Sequence, residues 1–227
     1  ALFVPSTYEP DDEWPLIVGL HGLGRPYDWL MGYEGMIDLA EERGYILVTP
    51  RGYHPRGWYG SRGPDVPPMP DEVDPDTLPP NLGELSQQDV MNVLEIVRGE
   101  LSVDPDRIYL WGHSMGGAGT YHLAAEHPTV WAGLAVAAPA PFTSPWEQIP
   151  AFRHIPVLVM HGDEDGVVPV ERSREWVRAM GELGMEHVYV EVPGGDHSSF
   201  INADRAMVAK IFGFFDVVRK EEREPLH

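Results

Sequence analysis

The chain has 227 residues, of which 43% are hydrophobic and 23% are charged, as is usual for a globular protein. Its 36 acidic and 16 basic side chains give a net charge of −20, which argues against nucleic acid or an anionic membrane surface as a partner because both would repel it. Cysteine is absent, so disulfides, thiol nucleophiles and thiolate metal sites are excluded, and no apolar run approaches the ~20 residues of a membrane span.

The first residue, Ala1, lies directly in strand-like sequence and is not a methionine. We infer that a segment upstream has been removed or left out, and that this segment could have been a secretory signal. Secretion is therefore favoured over a cytoplasmic location. Both locations stay open, as does the oligomeric state.

Apolar runs alternate with helical stretches along the chain, which predicts an α/β fold with a mostly parallel, doubly wound sheet and helices on both faces. The predicted strands are 2–4, 16–20, 46–49, 108–111, 134–137, 157–160 and 188–192. The predicted helices are 35–42, 85–100, 117–126, 170–181 and 203–219. Folds of this kind often occupy about 200–250 residues as one unit, so we expect a single domain over residues 1–227.

The strand 16–20 ends in the sequence His-Gly-Leu-Gly at 21–24. Glycines at these positions let the backbone turn so that an amide can point at the oxygen of a reacting carbonyl group. The amide of Leu23 is the candidate donor, and a simple glycine turn is the alternative.

Two segments interrupt the alternation of strands and helices. Residues 51–83 form a connection rich in proline, glycine and aromatic residues, and a connection this long usually serves a function or is disordered. We expect it to form a wall or lid of an active site, whereas residues 139–155 are too short for a separate cap domain. The acids in the long connection do not match a calcium-binding loop, which favours a solvated loop. They are Asp65, Asp71, Glu72, Asp74 and Asp76.

The strand 108–111 is followed by Gly-His-Ser-Met-Gly at 112–116 and then by the predicted helix 117–126. A Gly-x-Ser-x-Gly sequence at a strand-to-helix boundary places its serine on a tight turn with strained backbone angles. This turn would expose the hydroxyl of Ser114 as a nucleophile. The alternative is a glycine-rich turn with an ordinary serine.

The residues around the serine fit the first interpretation. Gly112 and Gly116 flank it at the two positions where side chains would collide between the strand and the helix. The amide of Met115 is left free to bind an oxyanion, so we expect it to act together with the amide of Leu23.

An acidic turn follows the strand 157–160. A serine nucleophile needs a base, and the base needs an acid that orients it. Asp163 and Asp165 both lie on this turn and are both candidates for that acid. A solvated loop with no catalytic acid is the alternative.

The candidate base is His197, which lies in a glycine-rich turn after the strand 188–192. In the chain order serine, acid, histidine, the base follows the acid and lies past the carboxyl end of a later strand. His187 precedes that strand and His227 is terminal, so neither has this setting. We expect the remaining histidines to be structural or solvated.

Aromatic and other side chains in the surrounding loops are candidates for contact with a substrate. They are Arg25, Tyr27, Trp29, Trp58, Tyr59, Phe142, Trp146, Val168 and Phe200. So many aromatic residues favour a groove for an aromatic acyl group or an extended polymer chain. The alternative is that most of them pack in the core or anchor loops.

With these groups in this order, the chain resembles the α/β-hydrolase superfamily over nearly its whole length. The sequences at 89–91, 103–109 and 112–120 are similar to those of esterases related to feruloyl esterases, polyhydroxybutyrate depolymerases and prolyl-oligopeptidase-like peptidases. In that group the sequence His-Gly-x-x-Asp-x-x-Val-Pro carries the triad acid. Here it lies at 161–169, so the resemblance assigns the acid to Asp165 and leaves Asp163 to shape the turn.

The resemblance implies an α/β-hydrolase fold without a separate cap domain and a serine hydrolase that cleaves small-molecule or polymer-linked esters. Its catalytic residues would be Ser114, His197 and Asp165, and it would need no metal or organic cofactor. A prolyl-oligopeptidase-like peptidase is the alternative, but such enzymes usually carry a gating domain, for which the chain has no segment of sufficient size. A non-catalytic binding module with the same fold is the third interpretation.

Overall fold

The computed structural model describes residues 1–64 and 78–220, and in these ranges seven strands form one sheet. The strands are β1 (Leu2–Phe3), β2 (Trp14–Leu20), β3 (Ile46–Val48), β4 (Val103–His113), β5 (Gly133–Ala137), β6 (Val157–Gly162) and β7 (His187–Val192). Their order across the sheet is β1-β3-β2-β4-β5-β6-β7. All neighbours are parallel except β1 and β3, so the predicted sheet is confirmed.

Seven α-helices and two short 3-10 turns connect these strands within the described ranges. The helices are α1 (Met36–Arg43), α2 (Leu82–Glu100), α3 (Met115–Glu126), α4 (Pro145–Phe152), α5 (Glu171–Glu182), α6 (Ser199–Asn202) and α7 (Arg205–Phe215). The 3-10 turns are Trp29–Gly32 and Trp58–Gly60. In this part of the chain no helix is both long enough and apolar enough to cross a membrane.

The sequence pattern missed α4 and α6, and its helix 203–219 extends past both ends of α7. Helix α4 lies in the proline-rich segment 139–155, and Pro145 occupies its first turn, where a missing amide hydrogen costs nothing. Asp204 separates α6 from α7 because its side chain accepts hydrogen bonds from the amides of Ala206 and Met207, which caps α7.

The order of the strands creates an opening at the carboxyl ends of β2 and β4. The chain leaves β2 towards β3 on one side and then crosses to β4 on the other side. At such a switch point the loops after the two strands diverge, and ligands bind in the crevice between them. Leu20 pairs with Gly112, so the turn after β2 and the turn after β4 lie side by side at this opening.

Side chains of alternate strand residues enter two separate cores, one on each face of the sheet. Leu16 and Val18 of β2 face a core shared with α2, α3, α4 and α5, whereas Ile17 faces a core shared with α1, α6 and α7. In the first core, Trp176 of α5 stacks on Tyr121 of α3 with ring centroids 4.0 Å apart. This stack joins two helices that are distant in the chain.

We expect Trp176→Ala to lower the free energy of unfolding by about 3–5 kcal/mol, because it removes a buried ring and leaves a cavity against Tyr121. Ile96→Ala is the matched control, since Ile96 is 64% exposed and surface changes usually stay within about 0.5 kcal/mol. Urea unfolding followed by circular dichroism measures both. Equal losses in the two variants would contradict the assignment of Trp176 to the core.

Candidate active site

Ser114 lies on a sharp turn between β4 and α3 with φ 58° and ψ −114°. A left-handed φ is strained for a residue with a side chain, and it is retained here by the backbone on both sides. A Cβ atom on Gly112 would overlap the carbonyl group of Gly116, and one on Gly116 would overlap the carbonyl group of Leu20. Only glycine fits at both positions, so the turn holds the serine hydroxyl above the end of the sheet.

His197 connects Ser114 to Asp165. Its Nε2 lies 2.9 Å from Oγ of Ser114, and its Nδ1 lies 2.7 Å from Oδ2 of Asp165. The carboxylate can only accept, so Nδ1–H donates to it and the Nε2 lone pair accepts the serine O–H. This arrangement allows the imidazole to remove the serine proton.

Asp165, rather than Asp163, lies against the histidine. The Oδ1 atom of Asp165 accepts the amides of Val167 and Val168 at 2.7 and 2.9 Å. Burial alone would raise the pKa of Asp165, but the bonds from His197 and from the two amides lower it, and the net shift is downward. Asp163 instead accepts the amide of Gly194 at 2.6 Å, so it ties the acidic turn to the turn that carries the histidine.

A second histidine, His161, also contacts Asp165. Its Nε2 lies 3.0 Å from Asp165 Oδ2 and 3.0 Å from the carbonyl oxygen of Val168, so this nitrogen carries the hydrogen and donates. Its Nδ1 accepts the hydroxyl of Ser173 at 2.7 Å. Burial lowers the pKa of His161, which keeps the ring neutral. Both oxygens of the Asp165 carboxylate therefore accept two hydrogen bonds each.

His113, the residue before the serine, fixes the position of the other turn. Its Nε2–H donates to the carbonyl oxygen of His197 at 2.7 Å, and its Nδ1 accepts the hydroxyl of Tyr33. The indole of Trp29 stacks on the ring with centroids 5.1 Å apart. Burial, reinforced by the neighbouring His197, lowers the pKa of His113 to about 3.

Sequence reasoning gave no role to Tyr33, His113 or His161. The alternation of side chains along β4 places His113 on the same face as Tyr109 and Trp111, but it does not reveal the partner Tyr33, which lies 80 residues away in the chain. His161 was visible as part of a sequence pattern, and its buried position follows from the burial of the whole strand β6.

The turn after β2 is held in place next to this serine. The amide of Gly24 donates to the carbonyl of Pro55 at 2.9 Å, and the amide of Arg25 donates to the carbonyl of Gly22 at 3.1 Å. Leu23 lines the same cleft as Ser114. Met115 is the first residue of α3, where an amide has no acceptor within the helix. The role of these two amides as an oxyanion hole stays a prediction.

The cleft above Ser114 has a volume of about 480 Å³. Five of the predicted substrate contacts line it, namely Arg25, Trp29, Trp58, Phe142 and Val168. Arg172, at the start of α5, and Ser198, beside the histidine, also line it, and sequence reasoning missed both. Arg172 could not be found from the pattern because it lies in neither a glycine turn nor an aromatic group, whereas Ser198 follows the candidate base directly.

The long connection contributes Trp58 to this cleft. Trp58 and Tyr59 have φ values of 56° and 52°, so two consecutive aromatic residues adopt the left-handed conformation that side chains disfavour. Trp58 thus forms part of the lining of the cleft, and a wall or lid made by the whole connection stays a prediction. The predicted acidic cluster, from Asp65 to Asp76, lies outside the described residues.

The structure corrects the prediction that Tyr59 and Phe200 contact a substrate. Tyr59 is completely buried, and its hydroxyl donates to the carbonyl of His21 at 3.4 Å, so it packs under the turn after β2. Phe200 is buried in the core on the other face of the sheet, with its ring beside His113. Large aromatic rings are often buried in this way, because burial removes their apolar surface from water.

Trp146 and Tyr27 also lie outside the cleft. Trp146 is on α4, where its Nε1 lies 3.3 Å from a carboxylate oxygen of Glu182 and its ring contacts the guanidinium of Arg178. Tyr27 is about half exposed and does not line the cleft. Neither residue is among those that line the cleft, and contact of either with a substrate stays a prediction.

A sequence model of the PET hydrolase-like family matches residues 87–217, which is more than half of the chain and includes the serine, the acid and the histidine. The chain belongs to this family. The match begins in α2 and ends just after α7, so it covers the elements that carry Ser114, Asp165 and His197.

Individual proteins are also similar to this PET hydrolase-like chain. NocK of Nocardia uniformis subsp. tsuyamanensis is 35% identical over 158 residues, which is 69% of this chain and 42% of NocK. The bifunctional acetylxylan esterase/xylanase XynS20E of Neocallimastix patriciarum is 26% identical over 177 residues, 78% of this chain and 23% of that protein. The chain therefore spans less than half the length of these curated relatives.

Solved structures confirm the fold. The ferulic acid esterase AmCE1/Fae1A of Anaeromyces mucronatus, determined with ferulic acid, superimposes with a TM-score of 0.68 at 19% identity. The superposition covers 96% of this chain and 83% of that structure. The PET hydrolase-like chain therefore has the α/β-hydrolase fold that the sequence predicted.

We expect the buried His113 to make the protein less stable in acid. An unfolded histidine binds a proton near pH 6.5, whereas folded His113 stays neutral down to about pH 3, so stability is lost as the pH falls through this window. His113→Gln removes this difference, and its amide can still donate to His197 and accept from Tyr33. Its free energy of unfolding should therefore fall less steeply with acidification, by about 1.4 kcal/mol per pH unit.

Urea unfolding of both proteins at pH 6.5, 5.5 and 4.5 measures this slope. The comparison uses the change within each protein, so any loss of stability from the substitution itself cancels. Parallel curves for the wild type and His113→Gln would contradict a neutral, buried His113.

Proposed function

We propose that this chain is a serine hydrolase that cleaves carboxylic esters through an acyl-enzyme intermediate. The observation that carries the proposal is the continuous set of hydrogen bonds from Ser114 through His197 to Asp165, at the floor of a cleft. Membership of the PET hydrolase-like family supports it, as does similarity to a protein named as an acetylxylan esterase.

In the first half of the reaction, the Ser114 oxygen attacks the ester carbonyl carbon while Nε2 of His197 takes the hydroxyl proton. The carbonyl oxygen becomes an oxyanion, which the amides of Leu23 and Met115 stabilise. The tetrahedral centre then collapses, the bond to the alcohol oxygen breaks, and His197 gives its proton to the leaving alcohol. Asp165 holds the imidazole in the tautomer that makes both proton transfers possible.

In the second half, His197 removes a proton from water, which attacks the acyl-enzyme carbonyl carbon. Collapse of the second tetrahedral centre breaks the bond to Ser114 and releases the carboxylic acid. The neutral rings of His113 and His161 do not exchange protons with the substrate in this scheme. They position the histidine carbonyl and the aspartate by hydrogen bonds.

The cleft favours an aromatic or extended ester. Trp29, Trp58 and Phe142 present rings to it, and the rings of Trp58 and Phe142 meet edge to face at 4.8 Å. Flat rings of this kind bind aromatic acyl groups or successive units of a polymer chain by stacking and burial of apolar surface. We therefore propose aromatic or polymer-linked esters as substrates.

The proposal predicts that the wild type hydrolyses members of an ester panel and that Ser114→Ala loses this activity by at least about 10⁴-fold. The panel contains p-nitrophenyl acetate, butyrate and octanoate, methyl ferulate and a soluble polyester oligomer. Full activity of Ser114→Ala, or a peptide anilide cleaved faster than every ester, would contradict the proposal.

Asp165→Asn and Asp163→Asn form a matched pair, since both remove one charge from the same turn. We expect Asp165→Asn to lower kcat/KM by about 10⁴-fold because the amide favours the wrong tautomer of His197. Asp163→Asn keeps an oxygen that can accept the Gly194 amide, so its kcat/KM should stay within about threefold of the wild type. Steady-state kinetics on the best ester of the panel distinguishes them, and a reversed order would assign the acid to Asp163.

Trp58→Ala should change the preference between methyl ferulate and p-nitrophenyl butyrate, because Trp58 lines the cleft beside Phe142. We expect the aryl-to-alkyl ratio of kcat/KM to fall about tenfold, which is the upper end for an aromatic pair. Trp146→Ala is the control because it removes the same ring outside the cleft. An unchanged ratio in Trp58→Ala would remove this residue from the binding site.

A further inference from the structure

The arginines around the cleft differ from most of the other arginines in the described residues. In this strongly acidic chain, seven of the described arginines form ion pairs with carboxylates, as Arg43 does with Asp216 and Arg174 with Glu191. Arg25 and Arg172 line the cleft, and within residues 1–64 and 78–220 neither forms an ion pair with a carboxylate.

A third arginine lies at the same opening. The guanidinium of Arg62 contacts the ring of Trp58 at 5.4 Å and the ring of Phe142 at 4.9 Å, and it too has no ion pair with an acid in the described ranges. No aspartate or glutamate is among the described residues that line the cleft. Three positive charges therefore surround a cleft in a chain whose net charge is −20.

The contacts that hold Arg25 and Arg172 leave some of their hydrogen-bond donors without an acceptor among the described residues. Arg25 lies over the ring of Trp29 at 5.2 Å, so the face of its guanidinium is covered. Arg172 donates one Nη1–H to the carbonyl oxygen of Pro141 at 2.8 Å. A guanidinium has five N–H donors in its plane, and stacking on a ring uses none of them. The remaining donors suit a carboxylate, which accepts two parallel hydrogen bonds.

We propose that the ester substrate of this site carries a free carboxylate, so that it is a half-ester of a dicarboxylic acid or a similar anionic ester. The inference rests on the proposed function and names the substrate class of the same cleft. A neutral ester would need no cation at the entrance of the cleft. An anionic ester would, because the net charge of the protein repels anions at long range. Arg25, Arg62 and Arg172 supply local attraction that is selective for the anion.

The test compares monomethyl adipate with methyl hexanoate, in which a methyl group replaces the carboxylate. At pH 7.5 the two esters have the same scissile bond and nearly the same length, so the ratio of their kcat/KM values isolates the charge. We expect the wild type to favour the anionic ester by about tenfold. Arg25→Gln and Arg172→Gln should each lower this ratio by about fivefold, the upper end for a solvent-exposed ion pair.

Arg153→Gln is the matched control. Arg153 is exposed and lies just before β6, at the amino end of the strands and not at the carboxyl end where the cleft opens. Its replacement changes the net charge by the same amount. Its ratio should equal that of the wild type. A ratio that falls as much in Arg153→Gln as in the cleft variants would assign the effect to overall charge and overturn the inference.

The outcomes separate this inference from the proposed function. Faster hydrolysis of methyl hexanoate than of monomethyl adipate, with a ratio that the cleft variants do not change, overturns the anionic substrate and leaves the esterase intact. Hydrolysis of neither ester, and of no member of the ester panel, overturns both. Anionic preference that both cleft variants reduce supports the assignment.

Discussion

The close contact between the first turn of α3 and the end of β2 is the constraint on which the site depends. Gly116 lies against the carbonyl group of Leu20, and this contact leaves no space for a side chain. Because the helix must begin this close to the sheet, Ser114 is forced into a left-handed backbone conformation. The same contact aims the start of α3, where the amide of Met115 has no helical acceptor, at the turn that carries Leu23. One backbone contact therefore sets both the serine and the candidate oxyanion donors.

The polar groups around His197 and Asp165 are held by hydrogen bonds from neutral side chains. Asp165 is the carboxylate of the proposed triad, and its oxygens accept hydrogen bonds from two amides and two imidazoles. His113 and His161 are buried, and burial lowers the pKa of each ring. Neutral donors orient the triad without placing further positive charges next to His197. The protein thus fixes the geometry around His197 with hydrogen bonds.

Local patterns in the sequence were enough to predict the sheet, the serine turn and the position of the histidine. Each depends on a few consecutive residues, such as the glycines around Ser114. Spacing alone could not choose between Asp163 and Asp165, because both lie on one turn and the choice depends on which side chain meets the His197 ring. The resemblance to a known family favoured Asp165, and the geometry places that residue beside His197.

Contacts between distant parts of the chain set the limit of such predictions. Trp58 and Tyr59 are neighbours of the same chemical type, yet one lines the cleft and the other is buried under the β2 turn. Their different positions follow from unusual backbone angles that composition does not reveal. The contact of Tyr33 with His113 and the tether from Arg172 to Pro141 are likewise visible only after folding.

The bond between Asp163 and Gly194 has a mechanical consequence. Together with the bond from the Glu164 amide to the Gly195 carbonyl, it fastens the turn of the acid to the turn of the base, so the two form one unit. The serine belongs to a second unit, made of β4 and α3. Two hydrogen bonds join the two units: the one from His113 to the His197 carbonyl, and the one between Ser114 and the His197 ring. The position of Ser114 relative to His197 therefore depends on these two bonds, whereas His197 and Asp165 are held together within one unit.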